Sequence, residues 1–323
     1  MRPESVPATL EKSSNKEVSV IIVNFNGGAE ILDCLRSLTA SASNATLEIV
    51  VVDNGSTDGS DAQIATQFPH VKLQRMGENR GFAAACNVGI QMSRRGTILL
   101  LNPDTVVEES AVLLMFDAMQ KNAQWGIVGA RMVNSERKSY RAARRLPGIR
   151  DLVLYTTGLS KLFSRSKYFN GYLYGEREIE SLDEVEQVEG SCLMISEAAR
   201  ASVGPLDEQF FIFFEEVDWC KRVREAGFGI HVVNEAVVLH HVSTTMGKYF
   251  ARTREIHAQS AMRYFRKHEG EEGYRRLRSA MKAALGIRLL GTFILSLSGS
   301  ESARRRHDGT VAERRTYQRG LEA

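Results

Sequence analysis

Carboxylate side chains follow two apolar runs of the sequence, at the points where those runs end. Asp53 comes directly after LEIVVV (47–52), and Asp104 follows TILLLN (97–102) within the sequence LLLNPDT. Carboxylates hold Mg²⁺ or Mn²⁺ against a diphosphate, and they accept hydrogen bonds from the ribose and base of a nucleotide. The two positions therefore indicate a site for a nucleotide and a divalent cation. Asn-Pro-Asp is also a good turn sequence, and the stretch 53–58 also suits helix capping.

A cluster of acidic residues is the second candidate for chemistry. In FFEEVDW (213–219), Glu215, Glu216 and Asp218 lie within four positions behind an apolar stretch. Their mutual repulsion would raise the pKa of at least one carboxyl group, which suits a general base. The alternative is an acidic first turn that stabilises the start of a helix.

Two further groups extend the candidate site. His240 and His241 follow the run AVVL (236–239), and one of them could complete a metal shell with Asp104, although a lone histidine is usually structural. Asn79 and Arg80 precede a helical stretch of small residues, at a helix N-terminus where phosphate binds well. Tight packing of helix on sheet explains the small residues but not this pair.

Several other functions are disfavoured. The sequence lacks Gly-x-x-x-x-Gly-Lys-Ser/Thr and lacks Gly-x-Gly-x-x-Gly after its first apolar run, which excludes a P-loop nucleotidase and weakens a dinucleotide-dependent oxidoreductase. The segment NFNGG (24–28) offers backbone amides to a ligand but contains no lysine, which disfavours a nucleotidyltransferase. The net charge of +3 is too small to argue for a nucleic acid partner.

The first half of the chain alternates between strand and helix patterns. Apolar runs at 18–23, 47–52, 71–76 and 97–102 are separated by segments with helical spacing. This alternation predicts an α/β fold, a doubly wound and mostly parallel sheet with flanking helices, in which ligands bind beyond the carboxyl ends of the strands. The polar residues that follow three of these strands should therefore converge: Asn24 and Asn26, Asp53, and Asn102 with Asp104.

The second half is less regular. Loops and short helices are predicted over 140–184, followed by a strand that leads into a short helix at 185–196. An acidic start and apolar residues at every third position predict a helix over about 215–226. GIHVV (229–233) and AVVLHH (236–241) are predicted to form a final pair of strands.

The two ends of the sequence and its cysteines indicate where in the cell the protein is located. Residues 1–17 are polar, without the apolar region of a signal peptide, and are predicted to be a disordered lead-in. The four cysteines form no Cys-x-x-Cys pair, which favours a reduced, cytosolic setting. The apolar run 289–297 is about half the ~20 residues of a membrane-spanning helix, and it has basic flanks. It predicts either a helix on an anionic membrane surface or a helix packed on the domain.

Seven motifs together resemble a known family. In order they are VSVIIVNFNG, VVDNGSTDGS, ENRGFAAACNVGI, LLLNPDT, VEGSCLMIS, GPLDEQFFIFFEEVDWCKRVREAGF and VVLHHVSTT. The sequence resembles the family-2 inverting glycosyltransferases of GT-A fold, in the bacterial rhamnosyltransferase-like branch of cell-envelope polysaccharide assembly. The resemblance covers roughly residues 18–268.

The resemblance implies roles for individual residues. It assigns Asp53 to the base or ribose of the nucleoside, with Asn24 and Asn26 nearby. Asp104 would hold the last position of the family's Asp-x-Asp motif, and Asn102 stands where the first aspartate is expected. The remaining implied roles are the base Glu216 with Asp218 supporting or replacing it, the metal- or diphosphate-contacting His240 or its neighbour His241, and the acceptor side Gly190, Ser191, Arg144 and Arg145.

The implied activity is a metal-assisted single displacement with inversion. The donor is expected to be dTDP-L-rhamnose or a UDP-sugar, the cofactor Mg²⁺ or Mn²⁺, and the acceptor a lipid-linked or polysaccharide hydroxyl. The alternative is a catalytically silent scaffold that binds a nucleotide sugar or glycan. The expected domains are 18–268, with a nucleotide-binding half (18–135) and an acceptor-binding half (136–268), and a basic helical appendage at 269–323. The expected location is cytoplasmic, with peripheral contact to the inner face of the membrane.

Overall fold

The computed structural model describes residues 17–41, 46–94, 96–140, 142–174, 184–241, 250–297 and 300–321. The predicted lead-in, except Glu17, lies outside the described residues. The strands are β1 Glu17–Asn24, β2 Thr46–Asp53, β3 Lys72–Arg75, β4 Thr97–Leu101, β5 Thr105–Val107, β6 Trp125–Val133, β7 Ala143–Arg144, β8 Gln187–Val188, β9 Cys192–Ile195 and β10 Gly229–His240. The helices are α1 Gly28–Ser41, α2 Ser60–Gln67, α3 Phe82–Met92, α4 Ala111–Gln120, α5 Ile149–Thr157, α6 Leu159–Leu162, α7 Glu197–Val203, α8 Glu215–Glu225, α9 Phe250–Ser296 and α10 Glu301–Arg319.

One eight-stranded sheet organises the molecule, in the order β3-β2-β1-β4-β9-β6-β10-β5. The β-branched run of β1 is buried because neighbouring strands flank it on both sides, and helices cover both faces of the sheet. Val20 pairs with Ile49 of β2 and with Leu99 of β4, and both pairings are parallel. This register brings the carboxyl ends of β1, β2 and β4 to the same edge of the sheet.

The sheet is mixed. Four neighbouring pairs are parallel (β3/β2, β2/β1, β1/β4 and β6/β10), whereas β9 runs antiparallel between β4 and β6, and β5 runs antiparallel to β10. The prediction of an α/β, mostly parallel sheet with flanking helices and a helical C-terminal region is therefore confirmed. Strands β7 and β8 form a separate two-stranded ribbon.

Two predictions about strands were incomplete or wrong. The expected strand pair at 229–241 is one strand, β10, whose pairing with β6 shifts register between Val233 and Val237. The shift absorbs the polar Asn234-Glu235 that interrupts the apolar run, because a bulge inserts residues without ending a strand. The short strand β5 directly after Asp104 was not predicted.

The C-terminal helices pack on the sheet domain through a third core. Its members include Phe210, Phe214, Phe265, Leu277 and Tyr317. Helix α9 is broken at Gly270, which has φ 68° and ψ −167°, two residues after the expected domain boundary at 268. Both segments of α9 contact α10: Arg254 pairs with Glu313 at 3.3 Å, and Arg278 Nε donates to the Tyr317 carbonyl at 2.9 Å.

Candidate functional site

The ends of β1 and β2 form the first part of the candidate site. Asn24 and Asp53 are the last residues of the two strands and are paired in the sheet register. Asn24 Nδ2 donates to Asp53 Oδ1 at 2.9 Å and to Ser60 Oγ at 2.8 Å. Both residues are buried. The Asp53 carboxylate is thus fixed at the strand end, where one more donor, such as a ribose hydroxyl, could reach it.

The two loops that follow these strands are joined by side chains. Asn26 has a positive φ of 54°, and its Oδ1 accepts a hydrogen bond from the Thr57 amide at 2.8 Å. Asp58 accepts from the amides of Gly28 at 2.9 Å and Ser60 at 3.0 Å. Burial alone would raise the pKa of Asp58, but a hydrogen bond from the Ser60 hydroxyl at 2.6 Å and these two amide hydrogen bonds lower it. Asp58 therefore acts as a cap that fixes the loops of α1 and α2.

Asn79 and Arg80 lie beside the same loops, where Asn54 anchors them. Asn54 Nδ2 donates to Asn79 Oδ1 at 3.1 Å, and Asn54 Oδ1 accepts from the Arg80 amide at 2.9 Å. Asn79 Oδ1 also accepts from the Gly81 amide at 3.0 Å, directly before α3. The Arg80 side chain remains exposed. Asn54 was not predicted from the sequence, although it lies directly after Asp53.

Asp104 and His240 meet at the other side of the sheet edge. His240 Nε2 lies 3.3 Å from Asp104 Oδ1, and both side chains are buried. The pairing of β5 with β10 positions them, since His240 lies opposite Thr105. His241 instead points to Ser135, with its Nδ1 3.3 Å from Ser135 Oγ. Of the two candidate histidines, the structure brings His240 to Asp104.

This pair fits a divalent cation that is shared with a substrate. Mg²⁺ is usually held by one or two protein side chains together with phosphate oxygens and water. The described residues contain no cluster of three or more acidic, histidine or cysteine side chains with metal-site geometry, so phosphate oxygens and water would supply the other ligands. Asn102 fixes the loop before Asp104 through its backbone. Its amide donates to the Ser191 carbonyl at 3.0 Å, and its carbonyl accepts from Thr105 Oγ1 at 2.7 Å.

Glu189 connects His240 to Arg144 and Ser191. Tyr140 Oη lies 2.6 Å from His240 Nδ1 and donates to Glu189 Oε2 at 3.1 Å. Arg144 donates to Glu189 Oε1 at 3.1 Å, and Ser191 Oγ donates to Glu189 Oε2 at 3.3 Å. Burial lowers the pKa of His240, but the Asp104 carboxylate outweighs this effect and raises it. Glu189 was not predicted from the sequence, although the adjacent Gly190 and Ser191 were.

Glu216 lies in the first turn of α8, within electrostatic reach of Arg144. Its Oε2 atom is buried and has no hydrogen-bond partner among the described residues. Gly190 packs against this side chain, since a Cβ atom on the glycine would lie 3.4 Å from Glu216 Cβ and 3.9 Å from its carboxyl carbon. Burial raises the pKa of Glu216, and the Arg144 guanidinium partly opposes this effect. The neighbouring Glu215 is fully enclosed, and burial together with the Glu216 charge raises its pKa well above the ordinary value.

The backbone before Glu216 is strained. Phe213 and Phe214 both have φ of 69°, a region that bulky side chains rarely adopt. Helix α9 holds this segment, because Ser260 Oγ donates to the Ile212 carbonyl at 2.9 Å and the His257 ring packs edge-on against both phenyl rings. Strain of this kind persists only where the surroundings impose it, and here it lies directly before the first turn of α8, which contains Glu216.

Asp218 belongs to a different environment. Its side chain is fully buried and contacts three basic groups: Arg222 Nε, Lys267 Nζ and His268 Nε2, each at 2.8 Å. Burial alone would raise the pKa of Asp218, but these contacts lower it to about 2. Asp218 therefore joins α8 to α9 as a permanently ionised group, whereas Glu216 keeps an oxygen available.

Arg144 and Arg145 also lie in different environments, like Glu216 and Asp218. Arg144 lies close to Glu189, Glu216 and Tyr172, and these contacts together raise its pKa despite its burial. Arg145 is half exposed and lies 3.5 Å from Glu186, and its backbone is fixed by hydrogen bonds to residues of the same region. The structure thus places Arg144, but not Arg145, directly between the base candidate and Glu189.

Comparison with known proteins identifies what this arrangement resembles. Residues 19–178 match the family described as Glycosyl transferase family 2. The chain is 27% identical over 252 residues to the N-acetylglucosaminyl-diphospho-decaprenol L-rhamnosyltransferase of Mycobacterium tuberculosis. The aligned region covers 75% of this chain and 81% of that protein. It is 23% identical over 257 residues to the dTDP-rhamnosyl transferase RfbF of Shigella flexneri, which covers 78% of each chain.

The fold also has solved counterparts. The mannosyltransferase PcManGT from Pyrobaculum calidifontis, in complex with GDP-Man and Mn²⁺, superposes with a TM-score of 0.53 over 93% of this chain and 85% of that chain, at 14% identity. S. aureus TarS 1–349 superposes with a TM-score of 0.51 at 14% identity, over 94% and 90% of the two chains. These similarities concern the fold, and they confirm the predicted GT-A architecture.

Proposed function

Because the chain is a glycosyltransferase with a family-2 domain, we propose that it transfers L-rhamnose from dTDP-L-rhamnose to a hydroxyl group of a polyprenyl-linked or other cell-envelope polysaccharide acceptor. The similarity to two rhamnosyltransferases supports the sugar, and the lipid-linked acceptor named in the mycobacterial protein supports the acceptor class. The reaction would take place in the cytoplasm, at the inner face of the membrane.

The donor would bind along the carboxyl ends of β1, β2 and β4. In this proposal Asp53 accepts hydrogen bonds from the nucleoside, and Asn24 and Asn26 shape the pocket around it. Their fixed positions support this role, because an anchored carboxylate pays little entropy to bind. The diphosphate side would be lined by Asn79, Arg80 and Asn102.

Asp104 and His240 would hold a Mg²⁺ or Mn²⁺ ion between the protein and the diphosphate. Their separation of 3.3 Å and their burial support this role, as does the Mn²⁺ in the complex of the fold neighbour. When bound, such an ion stabilises the negative charge that develops on the leaving nucleoside diphosphate. Tyr140 would keep the His240 ring oriented, because it contacts the second ring nitrogen at 2.6 Å.

Glu216 would be the general base. Its raised pKa suits removal of a proton from an acceptor hydroxyl, whose oxygen then attacks the anomeric carbon from the face opposite the leaving group. Direct displacement of this kind inverts the configuration. The acceptor would approach past Gly190 and Ser191, with Arg144 and Arg145 contributing positive charge on that side.

One observation carries the proposal. A continuous series of contacts runs from Asp104 through His240, Tyr140 and Glu189 to Arg144, whose charge interacts electrostatically with Glu216. The proposed metal ligands are thus linked to the proposed base by a chain of side-chain contacts that ends in an electrostatic interaction. A scaffold without activity has no need for both groups in one network.

The test is transfer with purified protein. dTDP-L-rhamnose, UDP-sugars and GDP-mannose are each incubated with a synthetic polyprenyl-diphospho-N-acetylglucosamine and Mn²⁺ or Mg²⁺, and the product is identified by mass spectrometry. We expect one deoxyhexose to be transferred from dTDP-L-rhamnose alone. Asp104→Asn should lose transfer and metal-dependent donor binding, whereas the exposed Asp33→Asn should behave like the wild type. Transfer of another sugar would refute the donor assignment, and an unaltered Asp104→Asn would refute the metal site.

A further inference from the structure

The end of α9 exposes an unusual concentration of apolar side chains. Of the twelve large hydrophobic residues that are exposed among the described residues, six lie within 287–297. Each of the six is between 51% and 70% exposed, although an apolar helix end in a soluble domain is normally covered. We call this set the apolar tip: Ile287, Leu290, Phe293, Ile294, Leu295 and Leu297.

A second apolar patch belongs to the segment that contains α5 and α6. Its members are Tyr155, Leu162, Phe163 and Tyr168, which are between 45% and 72% exposed. The patch and the apolar tip are neighbours, because Arg288 Nη1 donates to the Thr156 carbonyl at 3.3 Å. The two sets therefore form one composite surface. It is linked to the acceptor side of the candidate site, because α5 begins four residues after Arg145 and the Arg150 guanidinium lies 4.9 Å from the centre of the Tyr168 ring.

Both parts of the surface come from stretches of sequence with only positive charge. Residues 152–174 contain Lys161, Arg165 and Lys167 but no acidic residue. Residues 273–300 contain five basic residues and no acidic residue. Helix α10 adds the exposed Arg304 and Arg306. These two arginines lie close to the apolar tip, because the neighbouring His307 contacts Thr292 and Phe293 of α9. Apolar side chains flanked by cationic ones are complementary to a bilayer surface with anionic headgroups, and the exposed Glu301 of α10 is paired with Arg305.

From this arrangement we infer that the apolar tip and the α5–α6 patch dock together on the surface of an anionic lipid bilayer, and that this docking presents the acceptor side of the site to the membrane. The inference deepens the proposed function, on which it rests for the lipid-linked nature of the acceptor. The hydroxyl that receives the sugar would then reach Glu216 without leaving the bilayer surface.

Docking on the surface fits the structure better than crossing the bilayer. Helix α9 is long and apolar enough to span, with a mean hydropathy of 1.3 in an 18-residue window of which 17% is buried. However, the strongly charged α10 packs beside this segment and is joined to it by Arg278, which donates to two carbonyls near the end of α10. Spanning would carry α10 into the hydrocarbon or break these contacts, and burial of its charges is costly. Insertion of the tip alone, to a depth of about 5–10 Å, leaves them in water.

The first experiment measures sedimentation of the full chain with vesicles. The vesicles contain phosphatidylcholine alone, or an equal mixture of phosphatidylcholine and phosphatidylglycerol. We expect strong binding to the anionic mixture, and at least a roughly tenfold loss for Leu290→Glu/Phe293→Glu, since charge at these positions opposes insertion. The matched control Gln63→Glu/Ala65→Glu adds the same charge at exposed positions of α2 and should bind like the wild type. Arg304→Gln/Arg306→Gln should lose about fivefold per charge on anionic vesicles only.

Three results would overturn the inference. They are absence of wild-type binding to both kinds of vesicle, unchanged binding by the tip variant, and equal wild-type binding to both lipid compositions. Light scattering adds a further check, because a concentration-dependent oligomer that the tip variant abolishes, together with no vesicle binding, would show that a second copy of the chain covers the surface.

A transfer assay separates this inference from the proposed function. The tip variant should transfer sugar normally to a water-soluble, short-chain acceptor and at least about tenfold more slowly to a long-chain acceptor embedded in anionic vesicles. A loss with both acceptors would contradict a role confined to docking. If the wild type transfers to neither acceptor, the proposed function fails, while vesicle binding still decides whether the surface docks on lipid.

Discussion

Replacing Asp218 with asparagine should weaken folding without removing the catalytic base. Asp218 is the only member of its acidic cluster that the structure describes in contact with three basic side chains, which come from α8 and α9. Asparagine has nearly the same shape but no charge. The substitution therefore removes the ionic interaction that joins the two helices while leaving the local packing almost intact.

The magnitude follows from the pKa. A pKa of about 2 in the folded protein, against an ordinary value of 3.8, corresponds to about 2 kcal/mol of stabilisation at neutral pH. Because the folded-state pKa is the lower one, this stabilisation is present above the unfolded-state pKa and is lost as the pH falls from about 5 to about 2. Asp218→Asn should thus lower the free energy of unfolding by about 2–3 kcal/mol at pH 7, and its difference from the wild type should shrink in acid.

Urea denaturation of both proteins at several pH values measures this effect, and transfer assays at low temperature measure activity while both remain folded. We expect the turnover of Asp218→Asn to stay within a few-fold of the wild type, since loss of a general base costs about 100-fold or more. Equal urea midpoints at pH 7 would show that the ion-pair cluster contributes nothing. A hundredfold loss of turnover at unchanged stability would instead make Asp218 the base.

Three further variants test other parts of the structure. Gly81→Ala should destabilise the protein by at least about 2 kcal/mol, because φ of Gly81 is +91° and the new Cβ would lie 2.5 Å from a backbone oxygen. The control Gly77→Ala is also at positive φ but has open space around it, so it should cost only about 1 kcal/mol. Urea denaturation measures both values. Glu189→Gln should raise the Mn²⁺ concentration for half-maximal transfer about 10–100-fold, and an unchanged value would show that Glu189 does not orient the metal side. Burial lowers the pKa of His257 to about 4, so the wild type should lose about 2 kcal/mol of stability as the pH falls from 7 to 5. His257→Phe should not show this loss. Identical profiles of stability against pH for the two proteins would place the histidine in water.

The parts of the fold that were predictable have strong local signals. The runs of β1, β2 and β4 are buried on both faces, so continuous apolar sequence identified them, and their parallel order placed Asn24, Asp53 and Asp104 along one edge. β5 was missed because three residues carry no usable periodicity. β10 was divided in two because a bulge interrupts its pattern without interrupting the strand.

The site was only partly predictable for a different reason. The sequence pointed to the acidic cluster but could not separate Glu216 from Asp218, because their difference depends on partners about 50 residues away in α9. Glu189 belongs to the motif VEGSCLMIS, but its importance appears only when Tyr140 and Arg144 converge on it. The pattern of residue types along the sequence locates the candidate catalytic and binding groups. The protonation states and partners of these groups depend on contacts between residues that are distant in the sequence.

The central claim is that Glu216 removes the proton of the acceptor hydroxyl. Its most direct test compares Glu216→Gln with Glu225→Gln, an exposed glutamate at the other end of α8. Donor affinity is measured by calorimetry, and transfer is measured in a single turnover. We predict that Glu216→Gln binds the donor like the wild type and transfers at least about 100-fold more slowly, while Glu225→Gln is unchanged in both. Transfer by Glu216→Gln at the wild-type rate would contradict this assignment of the base.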